Sequence, residues 1–450
     1  MKSTFGLIIL TVIASVRITF ADSAPTNPAA PLNTWTVTNS VPATNELNFD
    51  DFLNEVASAN LDYAAQRYNV DIAKAAVVIA KEFQNPSLNL GYNHELRFQN
   101  TEVDGVSQSE PEDYSIGISQ TFPLGGKRRW NIRAANQNYR AAAATLEDFV
   151  RNLKLDASEA FIGALAAQRA LEQQRKTTDY LRQLADVQDH RFKAGDIGQT
   201  DLTQAQVDEL QSESDLLNAE NAAETAQLNL DTFLGRNRGQ TTFVLRGKLE
   251  LGPRSFDLEQ LVADALQNRP DLVAMRHARD GAQSGVRVAR ANRVPDVTAG
   301  VGYTYSTETE NFVNPSPALD YLNFSLSFPL PLWNRNKGEI ASARLTAEQA
   351  QKQLESAELK AEVQVRETFT TYQIMQERVK KFQTNLLKGA DDVLGAKRFS
   401  YEHGNSTLDD LLMAQSADND VHQAYNDSLA DAATALIELE RAAGLWDLEF

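Results

Sequence analysis

Two periods alternate along this chain of 450 residues. Leu88, Leu90, Tyr92, Leu96 and Phe98 alternate with Asn89, Gly91, Asn93, Glu95 and Arg97, and Tyr114, Ile116, Ile118 and Phe122 alternate with Ser115, Gly117, Ser119 and Thr121. Val297, Ala299, Val301, Tyr303 and Tyr305 stand against Thr298, Gly300, Gly302, Thr304 and Ser306, and Leu322, Phe324, Leu326, Phe328 and Leu330 against Asn323, Ser325 and Ser327. A period of two predicts four strands with one apolar and one polar face, at about 87–98, 114–123, 296–306 and 321–330. Strands of about ten residues suit a bilayer span, and equally a half-buried hairpin of a soluble domain. Tyr and Phe near the strand ends match an interface girdle, and the loops 99–113 and 307–319 are long, polar and acidic.

The remaining periodicity is helical. Stretches 49–84 and 257–292 are amphipathic and end before Pro86 and Pro295. Segments 128–193 and 337–402 run without a proline; helices of that size would be rods of roughly 90 Å, far longer than a globular domain needs. Leu153, Ala157, Ala160, Ala164, Ala167 and Leu171 follow a 4-3-4-3-4 spacing, one seam of an antiparallel or coiled-coil packing. After Gly195 or Gly404 the chain resumes helical periodicity over 200–235 or 407–443, which must run back beside the first rod. Helical hairpins alone would equally describe a scaffold protein.

The order repeats. Pro86, Phe192, Gly195, Asp201, Leu202, Ala205, Gln206 and Gly235 recur as Pro295, Tyr401, Gly404, Asp410, Leu411, Ala414, Gln415 and Gly444, each pair 209 positions apart (404 − 195 = 209). Phe122-Pro123 recurs as Phe328-Pro329. The chain therefore reads as two copies of a helix-strand-strand-helix-helix unit, 47–245 and 256–450, joined by a linker at 246–255. Length alone would have suggested about three domains.

Residues 1–21 read as an export signal: Lys2, an apolar run from Phe5 to Val16, and Thr19-Phe20-Ala21 as a cleavage site, with a short N-terminal anchor as the alternative. Residues 22–46 form a Pro/Ala/Thr/Asn-rich lead-in. No later stretch is apolar for long enough to be a membrane helix, so an exported product is soluble or crosses a membrane as strands. Four strands cannot close a barrel, and an open edge in lipid costs several kcal/mol for each unpaired backbone group. A membrane form must therefore oligomerise, and three chains would supply twelve strands.

Composition narrows the chemistry. Forty-three Lys+Arg against 61 Asp+Glu give a net charge of −18, which speaks against nucleic acid as a partner. The absence of Cys removes disulfides, thiolate metal cages, a catalytic Cys and a lipid-carrying Cys. His94, His190, His277, His403 and His422 are scattered, with no pair at a spacing that would make a metal site. Gly125-Gly126-Lys127 lacks the rest of a phosphate loop, and no hydrolase motif is present. Neither an enzyme nor a cofactor is expected.

The duplicated unit, the Phe-Pro-Leu ending of each second strand, and the two Phe/Tyr-x-x-Gly turns each followed six residues later by Asp resemble the TolC-like outer-membrane efflux proteins. The segments 122–128 and 328–338 look most like the branch that serves heavy-metal cation efflux pumps. The resemblance implies a mainly α protein with membrane β: a homotrimer with a twelve-stranded outer-membrane β-barrel continued by a long periplasmic α-helical barrel. It implies a Gram-negative outer membrane with its lipid, a periplasmic adaptor (membrane fusion) protein and an inner-membrane RND-type pump as partners. The function it implies is an exit duct for divalent metal cations. A drug or protein export duct of the same family, or a soluble periplasmic coiled-coil scaffold, are the alternatives.

By the same resemblance Gly195 and Gly404 mark the periplasmic tip and the adaptor contact. Asp201 and Asp410 match acidic gate positions, Thr200 a polar neighbour and Tyr401 a gate tyrosine, with Asp409 beside them. The pattern departs at Ser406, where drug exporters carry a basic partner, and at Met413, where an acid would complete an anionic ring. Acids in the first turn after a glycine break also serve any helix as caps, for about 0.3–1 kcal/mol.

Overall fold

The computed structural model describes residues 46–94, 102–103, 106–107, 111–236, 244–249, 252, 254–308 and 317–445. In chain order the elements are β1 (Glu46–Leu47), α1 (Phe49–Ala59), α2 (Leu61–Lys81), β2 (Ser87–Asn93), β3 (Glu102–Val103), β4 (Val106–Ser107), β5 (Asp113–Phe122), α3 (Lys127–Ala194), α4 (Gln199–Phe233) and β6 (Val244–Leu245). The second half follows with α5 (Leu258–Asn268), α6 (Pro270–Ala291), β7 (Val297–Ser306), β8 (Leu319–Ser327), α7 (Lys337–Lys381), a π turn (Phe382–Leu386), α8 (Leu387–Glu402) and α9 (Leu408–Ala443). The expected export signal, most of the lead-in, the strand end at Leu96 and Phe98, and parts of both strand loops and of the linker lie outside the described residues.

The helical stretch expected over 49–84 is two helices, and so is that over 257–292. Asn60 sits between α1 and α2 in an extended conformation. Its side-chain oxygen accepts from the Tyr63 amide at 2.9 Å, and its Nδ2 donates to the Phe233 carbonyl at 3.3 Å. Arg269 breaks the other stretch because Pro270, at the start of α6, disfavours helix in the residue before it. A break of one residue leaves the apolar period almost in phase, so the pattern alone did not show it.

The four long strands form one antiparallel sheet in the order β2-β5-β7-β8. Its register stacks Leu88, Ile118, Val301 and Phe324 in one row and Leu90, Ile116, Tyr303 and Leu322 in the next. A third row begins Tyr92, Tyr114, Tyr305. The opposite face carries Asn89, Gly117, Gly302 and Asn323 in one row and Ser87, Ser119, Gly300 and Ser325 in another. Gly117 and Gly302 face each other so closely that a Cβ on Gly117 would lie 3.3 Å from the Gly302 Cα. The apolar face is uncovered: Phe324 is 79% exposed and Leu90 73%. A half-buried hairpin of a soluble domain would hide that face, so the hairpin alternative fails. The outer strands β2 and β8 each pair on one side only among the described residues.

From the foot of this sheet α3 runs for 68 residues, about 100 Å at ~1.5 Å per residue. It turns at Gly195 and returns as α4; α7, the π turn and α8 turn at Gly404 and return as α9. Both glycines hold a left-handed conformation (φ 83° and 74°) that a side chain would strain. The same pair of bonds closes both turns: the Gly195 and Asp196 amides donate to the Phe192 and Arg191 carbonyls, the Gly404 and Asn405 amides to those of Tyr401 and Ser400. Gly235 and Gly444 end α4 and α9 in the same way.

Midway along the rods the short helices build the apolar core. Phe49 and Phe52 of α1 pack on Phe161 of α3 with ring centroids 5.5 Å away. Leu436, Ile437 and Leu439 of α9 are buried. Beside them Arg269 donates to Asp271 at 2.7 Å, to Gln364 at 2.9 Å and to the Ala442 carbonyl at 3.1 Å, while Arg151 donates to the Arg441 carbonyl at 2.9 Å. Two arginines thus serve carbonyls of the last turn of α9, the Ala442 carbonyl and, beside the Gly444 amide, the Arg441 carbonyl.

Candidate functional site

The ends of α3 and α8 and the starts of α4 and α9 meet at the glycine-turn end of the molecule. Ala185, Ala205 and Leu408 form a small buried cluster there, with Leu184, Tyr401 and Leu412 against it. Ala185 and Ala205 leave room for the larger Leu408, Leu184, Tyr401 and Leu412, and the polar groups sit around this apolar contact.

Tyr401 is the central member of the expected set. Its hydroxyl accepts from Arg191 Nη1 at 2.9 Å and donates to Gln188 Oε1 at 3.0 Å, and the Arg191 guanidinium lies 5.5 Å from the ring centroid. The first repeat's hairpin is thereby joined to the second's. Gln188 is fully buried, so its amide has no water to replace this partner.

Asp410 caps α9. Thr407 accepts from the Asp410 amide at 3.2 Å and the Asp410 carboxylate accepts from the Thr407 amide at 3.4 Å, which makes a reciprocal capping box. Ser406 Oγ donates to the same carboxylate at 3.0 Å and Lys397 Nζ at 3.2 Å. Lys397 first, then Ser406 and the Thr407 amide and hydroxyl, lower the Asp410 pKa to about 2. The basic partner missing at the position of Ser406 is therefore supplied from α8. The first repeat differs: Gly198 stands where Thr407 stands in the second, and no side chain caps α4.

Thr200, Asp201 and Asp409 are exposed on the first turns of α4 and α9, and among the described residues they make no hydrogen bond or ion pair. The structure thus brings Tyr401 and Asp410 into networks and leaves Thr200, Asp201 and Asp409 facing solvent. Arg191, Gln188 and Lys397 were missed in the sequence, because each of their contacts crosses from one helix to another and leaves no local signal. Further along α9, Asp418 and His422 approach Asp391 of α8, the one set of His and acidic groups among the described residues that could hold a metal ion.

A sheet with an uncovered apolar face, continued by paired rods of about 100 Å, is the architecture of a known family. Residues 52–236 and 261–445 match the outer membrane efflux protein family. The chain belongs to this family. The match covers each copy of the repeat, and this outer membrane efflux protein is a channel with a large periplasmic portion, not an enzyme. It is 25% identical over 373 residues to the cobalt-zinc-cadmium resistance protein CzcC of Cupriavidus metallidurans, covering 83% of this chain and 84% of that one. It is 23% identical to the outer membrane protein TolC of Vibrio cholerae, over 85% of this chain and 87% of that one. The Campylobacter jejuni CmeC outer membrane channel shares the fold with a TM-score of 0.73 at 15% identity, over 88% of this chain and 86% of that one.

Proposed function

We propose that three copies of this chain form the outer-membrane exit duct of a tripartite efflux system, taking divalent metal cations from a periplasmic adaptor and an inner-membrane RND-type pump. The observation that carries the assembly is the sheet. Among the described residues its two outer edges are unpaired and its apolar face is bare. In lipid those edges need partners, and identical chains placed edge to edge supply them. Three chains would bring the four strands of each to twelve, with the Asn, Ser and Gly face lining the lumen.

The rods would continue the duct through the periplasm to the turns at Gly195 and Gly404, where the adaptor would dock. There Tyr401 with Arg191 and Gln188 would hold the hairpins together, and an adaptor that binds the separated arrangement more tightly would shift the population toward opening. Thr200, Asp201, Asp409 and Asp410 would surround the threefold axis. Threefold repetition of each acid favours cations over anions by local field.

The metal cargo is supported by the likeness to a cobalt-zinc-cadmium resistance protein over most of both chains. Deleting the gene tests it: sensitivity to cobalt, zinc and cadmium should rise more than sensitivity to dyes or detergents. The reverse pattern would overturn the metal reading in favour of a drug or protein export duct.

A further inference from the structure

We infer that Asp391, Asp418 and His422 form a binding site for a divalent transition-metal ion such as Zn2+, bridging α8 and α9. His422 Nε2 lies 3.2 Å from Asp391 Oδ1 and 3.8 Å from Asp418 Oδ1, and one ligand atom from each residue falls within 4.8 Å of the others. Two N or O ligands each about 2.1 Å from a tetrahedral ion stand roughly 3.4 Å apart. The two distances from His422 are within a few tenths of an ångström of that spacing, and rotation of the exposed Asp391 side chain would draw the two carboxylates together.

A second observation is independent of the clustering. Asp418 Oδ1 is buried and has no hydrogen-bond partner, and its side chain is only 8% exposed. A buried carboxylate oxygen without a donor is costly, and the His422 ring nitrogen at 3.8 Å is too far to be that donor. Burial pushes the Asp418 carboxyl up; His422 and Arg398 act against this and Asp391 with it. Arg398 stacks over the Tyr180 ring at 4.7 Å from its centroid. A cation between the three side chains would satisfy the oxygen that the protein leaves unserved.

The burial gradient gives the ion an entry path. Asp418 forms the floor, His422 is 31% exposed, and Asp391 at the rim is 62% exposed. One imidazole and two carboxylates leave a coordination position for water and suit a borderline ion such as Zn2+, Co2+ or Ni2+. The π turn at Phe382–Leu386 lies just ahead of Asp391. Its extra residue turns the helix face by about 100°, which sets the side of α8 that meets α9. An ion here would tie the two helices of the hairpin that ends at Gly404.

Zn2+ alone, titrated calorimetrically into metal-stripped full-length protein in detergent, tests the site. One Zn2+ per chain should bind with an affinity that Asp391→Asn and His422→Ala each weaken by at least about tenfold. Asp391 is exposed, so Asp391→Asn should keep the wild-type thermal midpoint without Zn2+ and lose the rise that Zn2+ produces. Equal stoichiometry and affinity in wild type and both variants, or no binding by wild type, would overturn the site. Cargo does not enter this assay, so its failure and the failure of the metal-efflux reading are separable.

Discussion

Arg191 Nη1 donates to the Tyr401 hydroxyl at 2.9 Å, joining the turning end of the first repeat's hairpin to that of the second. Hydrogen bonds to charged groups contribute about 1.5–3 kcal/mol, and removing one partner leaves the other unserved. Tyr401→Phe keeps the ring and its packing but removes both the acceptor for Arg191 and the donor to Gln188. In planar bilayers the variant should show basal conductance raised roughly tenfold or more, the factor that such an energy sets. Conductance indistinguishable from wild type would show that this link takes no part in closing the tip.

Asp410 yields a prediction about pH. Its pKa is lowered to about 2, against an ordinary value near 4, chiefly by Lys397 and Ser406. A depressed carboxyl contributes stability above its unfolded pKa and loses it as pH falls through the folded one. Between pH 5 and 8 the capping box should therefore not titrate. Amide exchange at Leu408–Leu411 should be faster in Asp410→Ala than in wild type by a constant factor over that range. The two proteins should begin to converge below about pH 4 and become alike only as the pH passes about 2. A difference that changes between pH 5 and 8 would mean that another group controls this helix start.

Much of this arrangement can be read from the residues, and the parts that cannot have a common cause. Alternation along Tyr114-Ile116-Ile118 and its three counterparts fixes the strands, because each side chain's face depends only on its own position in the pleat. Glycines 195 and 404 mark the turns because few other residues adopt that conformation. The breaks at Asn60 and Arg269 escaped because losing one residue barely disturbs a helical period. Lys397 beside Asp410 depends on how α8 docks on α9, which no local pattern encodes. The same holds for His422: the spacing Asp418-x-x-x-His422 is visible along α9, whereas Asp391 joins them only once the hairpin is in register.

Arg269 should matter for stability more than any acid at the tip. Its side chain is 6% exposed and serves Asp271, Gln364 and the Ala442 carbonyl at once. Breaking a buried ion pair from one side costs about 3–5 kcal/mol, since the remaining charge stays without its partner. Arg151, 3.7 Å from Asp271, offers partial compensation, so Arg269→Met is expected near the lower end, about 3 kcal/mol. A thermal midpoint lowered by several degrees with the fold retained is the expected result. No shift would mean that Arg151 takes over completely.

Neighbouring positions on β8 separate the two faces of the sheet. Phe324 lies in the apolar row with Val301, and Asn323 pairs with Gly302 on the opposite face, its Nδ2 donating to Thr304 Oγ1 at 2.8 Å. An arginine on the lipid face of a barrel costs about 2–4 kcal/mol at the bilayer midplane, and a symmetric trimer would incur this three times. Phe324→Arg should therefore be lost from the outer-membrane fraction. Asn323→Arg adds the same charge one residue away, on the face that would line the lumen of the proposed duct, where water could solvate it. That variant should reach the outer membrane in normal amount and shift ion selectivity toward anions. Because the two substitutions add the same charge to opposite faces, equal loss of both would contradict the assignment of lipid and lumen sides.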